Sequence, residues 1–312
     1  MTTLFTSDRF LDHDTGRHPE HAGRLRSIVA KLHKDRLIER CETGELRSAT
    51  RHELARIHGG DYIDSVHKFA EKGGGRIESD TVVSPKSYEV ALLAAGTALQ
   101  AVDVVLTKKD SNALVLARPP GHHALASGAM GFCLFNNAAL AAQHAIAAHG
   151  LSRVLIVDWD VHHGNGTQDI FYEREDVYFF SAHRHPFYPG TGLKNETGTG
   201  RGLGTKFNLP VAMGTSRTNY HAQFETMLND AVKKCRPELI ILSAGFDAHA
   251  KDPIGSLGLE TEDFEKLTRL VQQAAQSHCQ GRLVSLLEGG YNVDALADCV
   301  ALHLSTLLTP ID

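Results

Sequence analysis

The sequence has few of the features of a disulfide-stabilised or nucleic-acid-binding protein. Its 312 residues include five cysteines and no Cys-x-x-Cys pair. An odd, dispersed set of cysteines predicts free thiols in a reducing compartment, so we expect a cytoplasmic protein. The formal net charge of −5 gives no sign of a nucleic-acid binder. The five cysteines are Cys41, Cys133, Cys235, Cys279 and Cys299.

Long apolar runs are also scarce. No run is expected to reach the ~20 residues that a helix needs to cross a bilayer, so we predict no membrane segment. The first ten residues, MTTLFTSDRF, lack a basic segment followed by an apolar core, and we expect no signal peptide. Hydrophobic residues make up 42% of the chain and charged residues 22%, as in ordinary globular proteins.

The regular elements alternate between strand and helix. This alternation predicts an α/β fold of one domain, residues 1–312, with a mainly parallel sheet and helices on both faces. No linker or internal repeat argues for a second domain. The predicted strands are 4–10, 113–117, 153–157, 177–182, 207–211, 239–243 and 282–287, and the predicted helices are 20–34, 85–106, 136–149, 215–235, 260–276 and 292–307.

The most informative stretch is 155–168, LIVDWDVHHGNGTQ, in which a short apolar strand runs into acids and histidines. Asp158, Asp160 and His162 are spaced by two, which on an extended chain places them on one face. Two carboxylates and an imidazole converge favourably only around a cation, and Zn²⁺ suits oxygen and nitrogen ligands. The alternative is a simple acidic turn, because short motifs also arise by chance.

Polar residues follow five of the predicted strands. They are His122-His123, Asp158 to His162, His183, Asp247 and Tyr291. In an open parallel sheet, ligands bind beyond the carboxyl ends of the strands. We therefore expect these side chains to meet in one crevice.

Five motifs occur in a fixed order: RPPGHHA (118–124), GFCLFNN (131–137), VDWDVHHGNGTQ (157–168), LSAGFDAH (242–249) and LEGGYN (287–292). Together they resemble the zinc-dependent histone deacetylase superfamily, which includes acetylpolyamine amidohydrolases. The resemblance extends from Thr15 to Leu304, and HPE and HGNGTQ resemble the class II and bacterial branch. It implies the single-domain arginase-like α/β fold.

The resemblance implies that Asp160, His162 and Asp247 hold one zinc ion per chain. Two carboxylates and one imidazole leave room for water and a substrate carbonyl. Iron(II) accepts the same ligands, so the sequence leaves the native metal open.

Two histidines and a tyrosine match the catalytic residues of the family. His122 matches the histidine paired with a carboxylate, here Asp158, and His123 the one paired with Asn165. A neutral partner favours His123 less as an imidazolium, which suggests His123 as general acid–base and His122 as an orienting group. The division between the two stays open. Tyr291 matches the donor to the developing oxyanion.

A second group of residues matches the walls of a narrow substrate channel. Phe132, which follows Gly131, and Tyr188 match two aromatic walls that sandwich an aliphatic stem. Gly289 and Gly290 allow the tyrosine loop to approach the metal. Asp80 aligns with a rim aspartate that holds a substrate backbone amide.

The resemblance also implies monovalent cations. Asp158 and Ser181, with main-chain oxygens that include that of Ala182, resemble the ligands of a structural potassium ion. A second monovalent site in the family uses carbonyls near Phe171, Arg174 and Val177.

The activity implied is hydrolysis of an acetyl or similar small acyl group from a lysine side chain. The alternative is deacetylation of polyamines or other small acylated amines. Ile254 is apolar where a polyamine-selective member can carry an acid, which favours lysine. Two alternative hypotheses are an arginase-like binuclear manganese hydrolase and a catalytically inactive acetyl-lysine-binding module. Oligomeric state and acyl-chain length are not readable from the sequence.

Overall fold

An eight-stranded parallel sheet forms the centre of the computed structural model, which describes residues 2–108 and 112–311. The strand order is β2-β1-β5-β10-β9-β6-β7-β8. A short antiparallel pair, β3 and β4, lies outside this sheet. The strands are β1 Thr2–Thr6, β2 Glu42–Thr43, β3 Gly75–Arg76, β4 Val82–Val83, β5 Asn112–Leu116, β6 Val154–Asp158, β7 Val177–Arg184, β8 Lys206–Val211, β9 Leu239–Ala244 and β10 Leu283–Leu287.

Two layers of helices cover the sheet. Helices α7, α8, α9 and α1 contact one another in that order, and α4 packs on α5 and on α3. Since both layers contact the sheet strands, the predicted α/β architecture is confirmed. The helices are α1 Gly23–Lys34, α2 Arg51–Leu54, α3 Gly60–Glu71, α4 Ser87–Thr107, α5 Asn137–His149, α6 Asn165–Ile170, α7 Arg217–Cys235, α8 Thr261–Cys279 and α9 Val293–Leu307.

The four central strands are apolar because they are covered on both faces. Every residue of β6, β9 and β10 is buried. Their register aligns Asp158 with Ser243 and Ser181, and Leu287 with Ala244. The carboxyl ends of β6, β7, β9 and β10 therefore lie side by side at one edge of the sheet.

Several predicted boundaries are wrong. The first strand ends at Thr6, and a 3₁₀ helix, Asp8–Asp12, takes the rest of the predicted segment. Helix α1 begins at Gly23, because Glu20 is buried against two arginines before the helix starts. The amphipathic α3 was not predicted, although its buried Tyr62, Ile63, Val66 and Ala70 have helical spacing.

Helix α4 corrects the expectation about apolar runs. By length and composition alone this 21-residue helix could cross a membrane, with a mean hydropathy of 1.8 over 18 residues. However, 67% of that window is buried inside the protein. Packing against α5 and β5 accounts for its apolar character. The five cysteines are free thiols, as predicted.

Candidate active site at the carboxyl ends of the strands

Three buried side chains from two loops converge after β6 and β9. The Nδ1 atom of His162 lies 3.0 Å from Asp160 Oδ1 and 3.1 Å from Asp247 Oδ2. One potential ligand atom from each residue lies within 4.8 Å of the others. A single imidazole nitrogen cannot donate one hydrogen fully to two carboxylates, and two buried carboxylates repel each other. A cation coordinated by all three resolves both problems, so the donor set fits a divalent metal.

Backbone amides and glycines fix the two carboxylates. Val161 N donates to Asp247 Oδ1 at 2.8 Å, and Gly289 N donates to Asp160 Oδ2 at 2.9 Å. A Cβ atom at Gly245 would lie 2.0 Å from Asp160 Oδ2. One at Gly289 would lie 2.3 Å from Asp247 Oδ2. The ligand geometry therefore requires glycine on both sides.

The predicted extended arrangement of Asp158, Asp160 and His162 is wrong. Strand β6 ends at Asp158, and the chain turns at once, with Asp160 N donating to Asp158 Oδ1 at 3.0 Å. The turn points Asp158 away from the other two side chains. Its Oδ2 lies 3.0 Å from His122 Nδ1. Asp158 thus belongs to the histidine pair, as the family motif implied.

His122 and His123 are buried side by side, with ring centroids 4.0 Å apart. Their partners differ: His122 faces Asp158, whereas His123 Nδ1 lies 2.7 Å from Asn165 Oδ1. Burial lowers the pKa of His122, but the charges of Asp158 and then Asp160 outweigh it and raise the pKa to about 10. Burial and then the charge of His122 hold the pKa of His123 well below its ordinary value.

Glu288 is a buried acid that the sequence reasoning missed, although it is the second residue of the last motif. Its Oε2 accepts from Gly121 N at 2.7 Å and from His122 N at 3.2 Å. Its Oε1 accepts from Ser243 Oγ at 3.0 Å. Burial raises the pKa of Glu288 to about 7, against the opposing effect of His122. Glu288 thereby ties β10 to the loop that carries the histidine pair.

Tyr291 lies in the loop after β10 and faces the aromatic wall. Its ring meets Phe132 edge to face at 5.7 Å between centroids. Its backbone N–H donates to Asp252 Oδ2 at 2.7 Å. Burial raises the pKa of the phenol well above 10, so the hydroxyl keeps its proton and can donate.

Asp252, which the sequence reasoning did not single out, accepts from four backbone amides. Its Oδ1 takes the N–H groups of Ile254 and Gly255 at 2.9 Å each, and its Oδ2 takes those of Tyr291 and Asn292 at 2.7 and 3.4 Å. One side chain therefore orders both the tyrosine loop and the half-buried Ile254.

A second missed group is a cluster of buried charges beneath the tyrosine loop. Arg24 donates from Nε to Gly290 O at 2.6 Å and from Nη2 to Glu288 O at 2.5 Å. Glu20 pairs with Arg24 at 3.2 Å and with Arg118 through two bonds of 2.5 and 2.7 Å. The pairing of Glu20 with Arg118 and the contacts of Arg24 with the tyrosine loop cannot be predicted from the sequence, because each joins residues more than 90 positions apart.

The second aromatic wall comes from the loop after β7. Tyr188 is 38% exposed and packs edge to face on His123 at 5.3 Å between centroids. The neighbouring Phe187 stacks on His162 at 5.1 Å. Since Phe132 and Tyr188 both contact residues of the site, the predicted channel walls are brought together with the metal candidates.

Asp80 contacts the loop of the first wall. Its Oδ1 accepts from Gly131 N at 3.0 Å and from Thr81 Oγ1 at 2.7 Å, and Thr81 Oγ1 in turn accepts from Phe132 N at 3.1 Å. Gly131 packs on His123 so closely that a Cβ would lie 2.2 Å from its ring. Asp80 thus orders the loop that carries Phe132.

The predicted monovalent ligands lie beyond the histidine pair. Ser181 is the register partner of Asp158 on the adjacent strand, and Ala182 follows it. Ser181 Oγ lies 3.0 Å from His183 Nδ1. A second group of metal-type ligands, Asp103 with His144 and His149, lies on helices α4 and α5, where both Nε2 atoms are 2.7 Å from Asp103 Oδ1.

These features are those of an α/β enzyme whose active site is assembled at the carboxyl edge of a parallel sheet. Residues 18–307 match the family model described as histone deacetylase domain. The chain belongs to this family of hydrolytic deacetylases.

Similar proteins agree with this assignment. A histone deacetylase-like amidohydrolase from Pseudomonas aeruginosa is 40% identical over 275 residues, covering 88% of this chain and 72% of that protein. The polyamine deacetylase HDAC10 of Homo sapiens is 38% identical, and the alignment covers 97% of this chain and 46% of that protein. The solved HDA15 HD domain superposes with a TM-score of 0.93 at 36% identity, covering 98% of this chain and 88% of the other.

Proposed function

We propose that residues 1–312 form one zinc-dependent amidohydrolase domain that removes acetyl groups from lysine side chains. The observation that carries this proposal is the buried convergence of Asp160, His162 and Asp247 beside His123. When bound, a zinc ion would polarise the amide carbonyl and lower the pKa of an attacking water. Asp160, His162 and Asp247 would hold it.

His123 is proposed as the general base and acid. Its Nδ1 faces an amide oxygen of Asn165, which only accepts, so the hydrogen sits on Nδ1. The Nε2 lone pair is then free to take a proton from water and to return it to the leaving amine. His122, held on Asp158, orients the pair and contributes positive charge.

Tyr291 is proposed as the donor to the oxyanion that develops on the substrate oxygen. Its proton is retained at neutral pH, Asp252 accepts from its backbone N–H, and Arg24 donates to the carbonyl of the preceding Gly290. Phe132, Gly131 and Tyr188 would line the passage for an aliphatic stem. Asp80 would receive a substrate backbone amide at the rim of that passage.

The choice between acetyl-lysine and acetylated polyamine rests on Ile254. A polyamine carries a distant ammonium, which an acidic residue at the channel mouth would hold, whereas Ile254 is apolar. The named polyamine deacetylases among the similar proteins keep the polyamine alternative open.

Comparing kcat/KM on an acetyl-lysine peptide and on an acetylated polyamine tests this choice. We expect the peptide to be preferred, and an Ile254→Glu variant to shift the ratio toward the polyamine. A strong preference of the unaltered enzyme for the polyamine would reverse the assignment.

Metal analysis separates the remaining alternatives. A binuclear manganese hydrolase would contain two manganese ions per chain, whereas the site offers one set of three ligands among the residues the structure describes. An inactive acetyl-lysine-binding module would bind the peptide without turnover. We expect one zinc per chain, with activity lost on chelation and restored by one equivalent.

We also propose a structural potassium site, a cellular compartment and a class of partners. A potassium ion would suit the oxygens of Asp158 and Ser181, with main-chain oxygen from Ala182 completing the site, because hard oxygen ligands bind such cations. We propose a cytoplasmic enzyme that uses acylated amines as substrates, with no nucleic-acid or membrane partner.

A further inference from the structure

A lysine is buried at the start of strand β8. Lys206 is 2% exposed, and its Nζ donates to Val177 O at 2.9 Å and to Thr205 Oγ1 at 2.6 Å. Arg174 O lies 3.5 Å away. The Thr205 hydroxyl donates its own hydrogen to Gly202 O at 2.6 Å, so its oxygen is free to accept from the ammonium. Neutral oxygens therefore surround the charge.

No carboxylate in the described part of the chain, 2–108 and 112–311, forms an ion pair with Lys206. The nearby Asp176 is held by the Arg174 guanidinium through bonds of 2.9 and 2.6 Å. A buried ammonium without a paired acid is unusual, since desolvation of a charge is costly. Its surroundings, main-chain carbonyls and a hydroxyl, are instead of the kind that replace the hydration shell of a monovalent cation.

We propose that the Lys206 ammonium serves as a built-in cation for this oxygen nest, in place of a bound potassium ion. An ammonium at 2.9 Å from Val177 O occupies the volume and the lone pairs that such an ion would need. Two unit charges at that separation would also repel strongly. The second monovalent site expected near Phe171, Arg174 and Val177 therefore holds the lysine ammonium and binds no ion.

The location gives the lysine a structural task. The nest lies between α6, which begins at Asn165, and β7, which leads to the loop of Tyr188. Lys206 joins this segment to β8 at the edge of the sheet. A tethered ammonium cannot dissociate, so this tie does not depend on the potassium concentration. The inference is independent of the substrate proposed above.

Thallium(I), a heavy stand-in for potassium, provides the test. Crystals of the zinc-loaded enzyme and of a Lys206→Ser variant are soaked in thallium acetate, and the anomalous signal is located. Burial lowers the pKa of Lys206 to about 7, with Asp176 acting in the opposite direction, so crystals near pH 6 keep the lysine charged. We expect no thallium on the Val177 and Arg174 carbonyls of the wild type and one ion there in the variant.

Thermal unfolding gives a second readout. The midpoint of Lys206→Ser should rise when N-methylglucamine chloride is replaced by potassium chloride at equal ionic strength, beyond any rise in the wild type. At a potassium concentration about 100 times Kd, the folded-to-unfolded ratio increases about 100-fold. The exposed Lys233→Ser variant is the matched control and should follow the wild type.

Two results would overturn the inference: thallium on these carbonyls in the wild type, or a folded Lys206→Ser variant with neither thallium nor added potassium dependence. If Lys206→Ser does not fold, the wild-type crystal decides alone, since an ion on the carbonyls refutes the inference and its absence supports it.

Discussion

Gly289 offers a direct test of how the metal ligands are held. It has no φ in the left-handed region, so alanine is compatible with its backbone. The added Cβ would lie 2.3 Å from Asp247 Oδ2 and 2.4 Å from Asp160 Oδ2. The backbone cannot retreat easily, because Gly289 O accepts from Phe246 N at 3.0 Å and Gly289 N donates to Asp160. In Gly289→Ala the two carboxylates must move.

The size of the movement sets the expected effect. Restoring an ordinary contact of 3.4 Å requires a shift of roughly 1 Å in both oxygens. Metal–ligand distances tolerate only about 0.2 Å. Perturbing even an indirect partner of a ligand typically costs 10–100-fold in affinity. We therefore expect zinc affinity to fall at least ~100-fold, equivalent to about 2.8 kcal/mol.

The assay is a zinc titration of the metal-free enzyme against a chromophoric chelator, with thermal unfolding as a check on folding. Gly128→Ala is the matched control, because its Cβ would meet only Leu125 Cδ1, at 3.9 Å. We expect the control to bind zinc like the wild type. A folded Gly289→Ala protein whose zinc affinity lies within about threefold of wild type would refute the argument from steric contact.

Three further predictions follow from the residues around the site. Tyr291→Phe should lower kcat about 10²–10³-fold with zinc content unchanged; unaltered kcat would exclude the oxyanion role. Asp252→Asn turns an amide NH₂ toward backbone N–H donors, so kcat should fall about tenfold or more while zinc binding persists; a wild-type rate would contradict this. Burial raises the pKa of Glu20, but the charge of Arg118 outweighs that effect, and the pKa falls from its ordinary 4.5 to about 2. The ionised Glu20 therefore stabilises the fold above pH 4.5, and this contribution is lost as the pH falls toward 2. The difference in unfolding free energy between the wild type and Glu20→Gln should shrink by about 3 kcal/mol over that range; a difference that stays constant in acid titrations would contradict this.

The sequence predicts the position of the site well because its signals are local. Short apolar runs rich in β-branched residues, such as β6 and β9, are typical of buried strands, and parallel strands bring their carboxyl ends to one edge. Residues that directly follow these runs, such as Asp160 and Asp247, therefore meet whatever their separation along the chain. The caps of α5 and α9 by Asn136 and Asn292 were predictable for the same reason, since a cap bonds to its own first turn.

The parts that were missed depend on contacts between distant segments. The turn after Asp158 cannot be read from spacing by two, because that spacing predicts an extended chain. Lys206 shows the same limit, because a single lysine at the start of a strand predicts an exposed side chain. Only the surrounding carbonyls show that it is buried.

The buried charges beneath the tyrosine loop indicate how the fold and the chemistry are joined. Glu20 carries one negative charge between two arginines, so one positive charge remains uncompensated within this group. Arg24 directs that charge to the carbonyls of Glu288 and Gly290, and its guanidinium carbon lies 5.0 Å from the Tyr291 ring centroid. Burial raises the pKa of the phenol, whereas Arg24 acts to lower it. A positive charge here therefore secures the loop and also strengthens the hydroxyl as a donor, which explains why this buried group keeps a net positive charge beside the candidate active site.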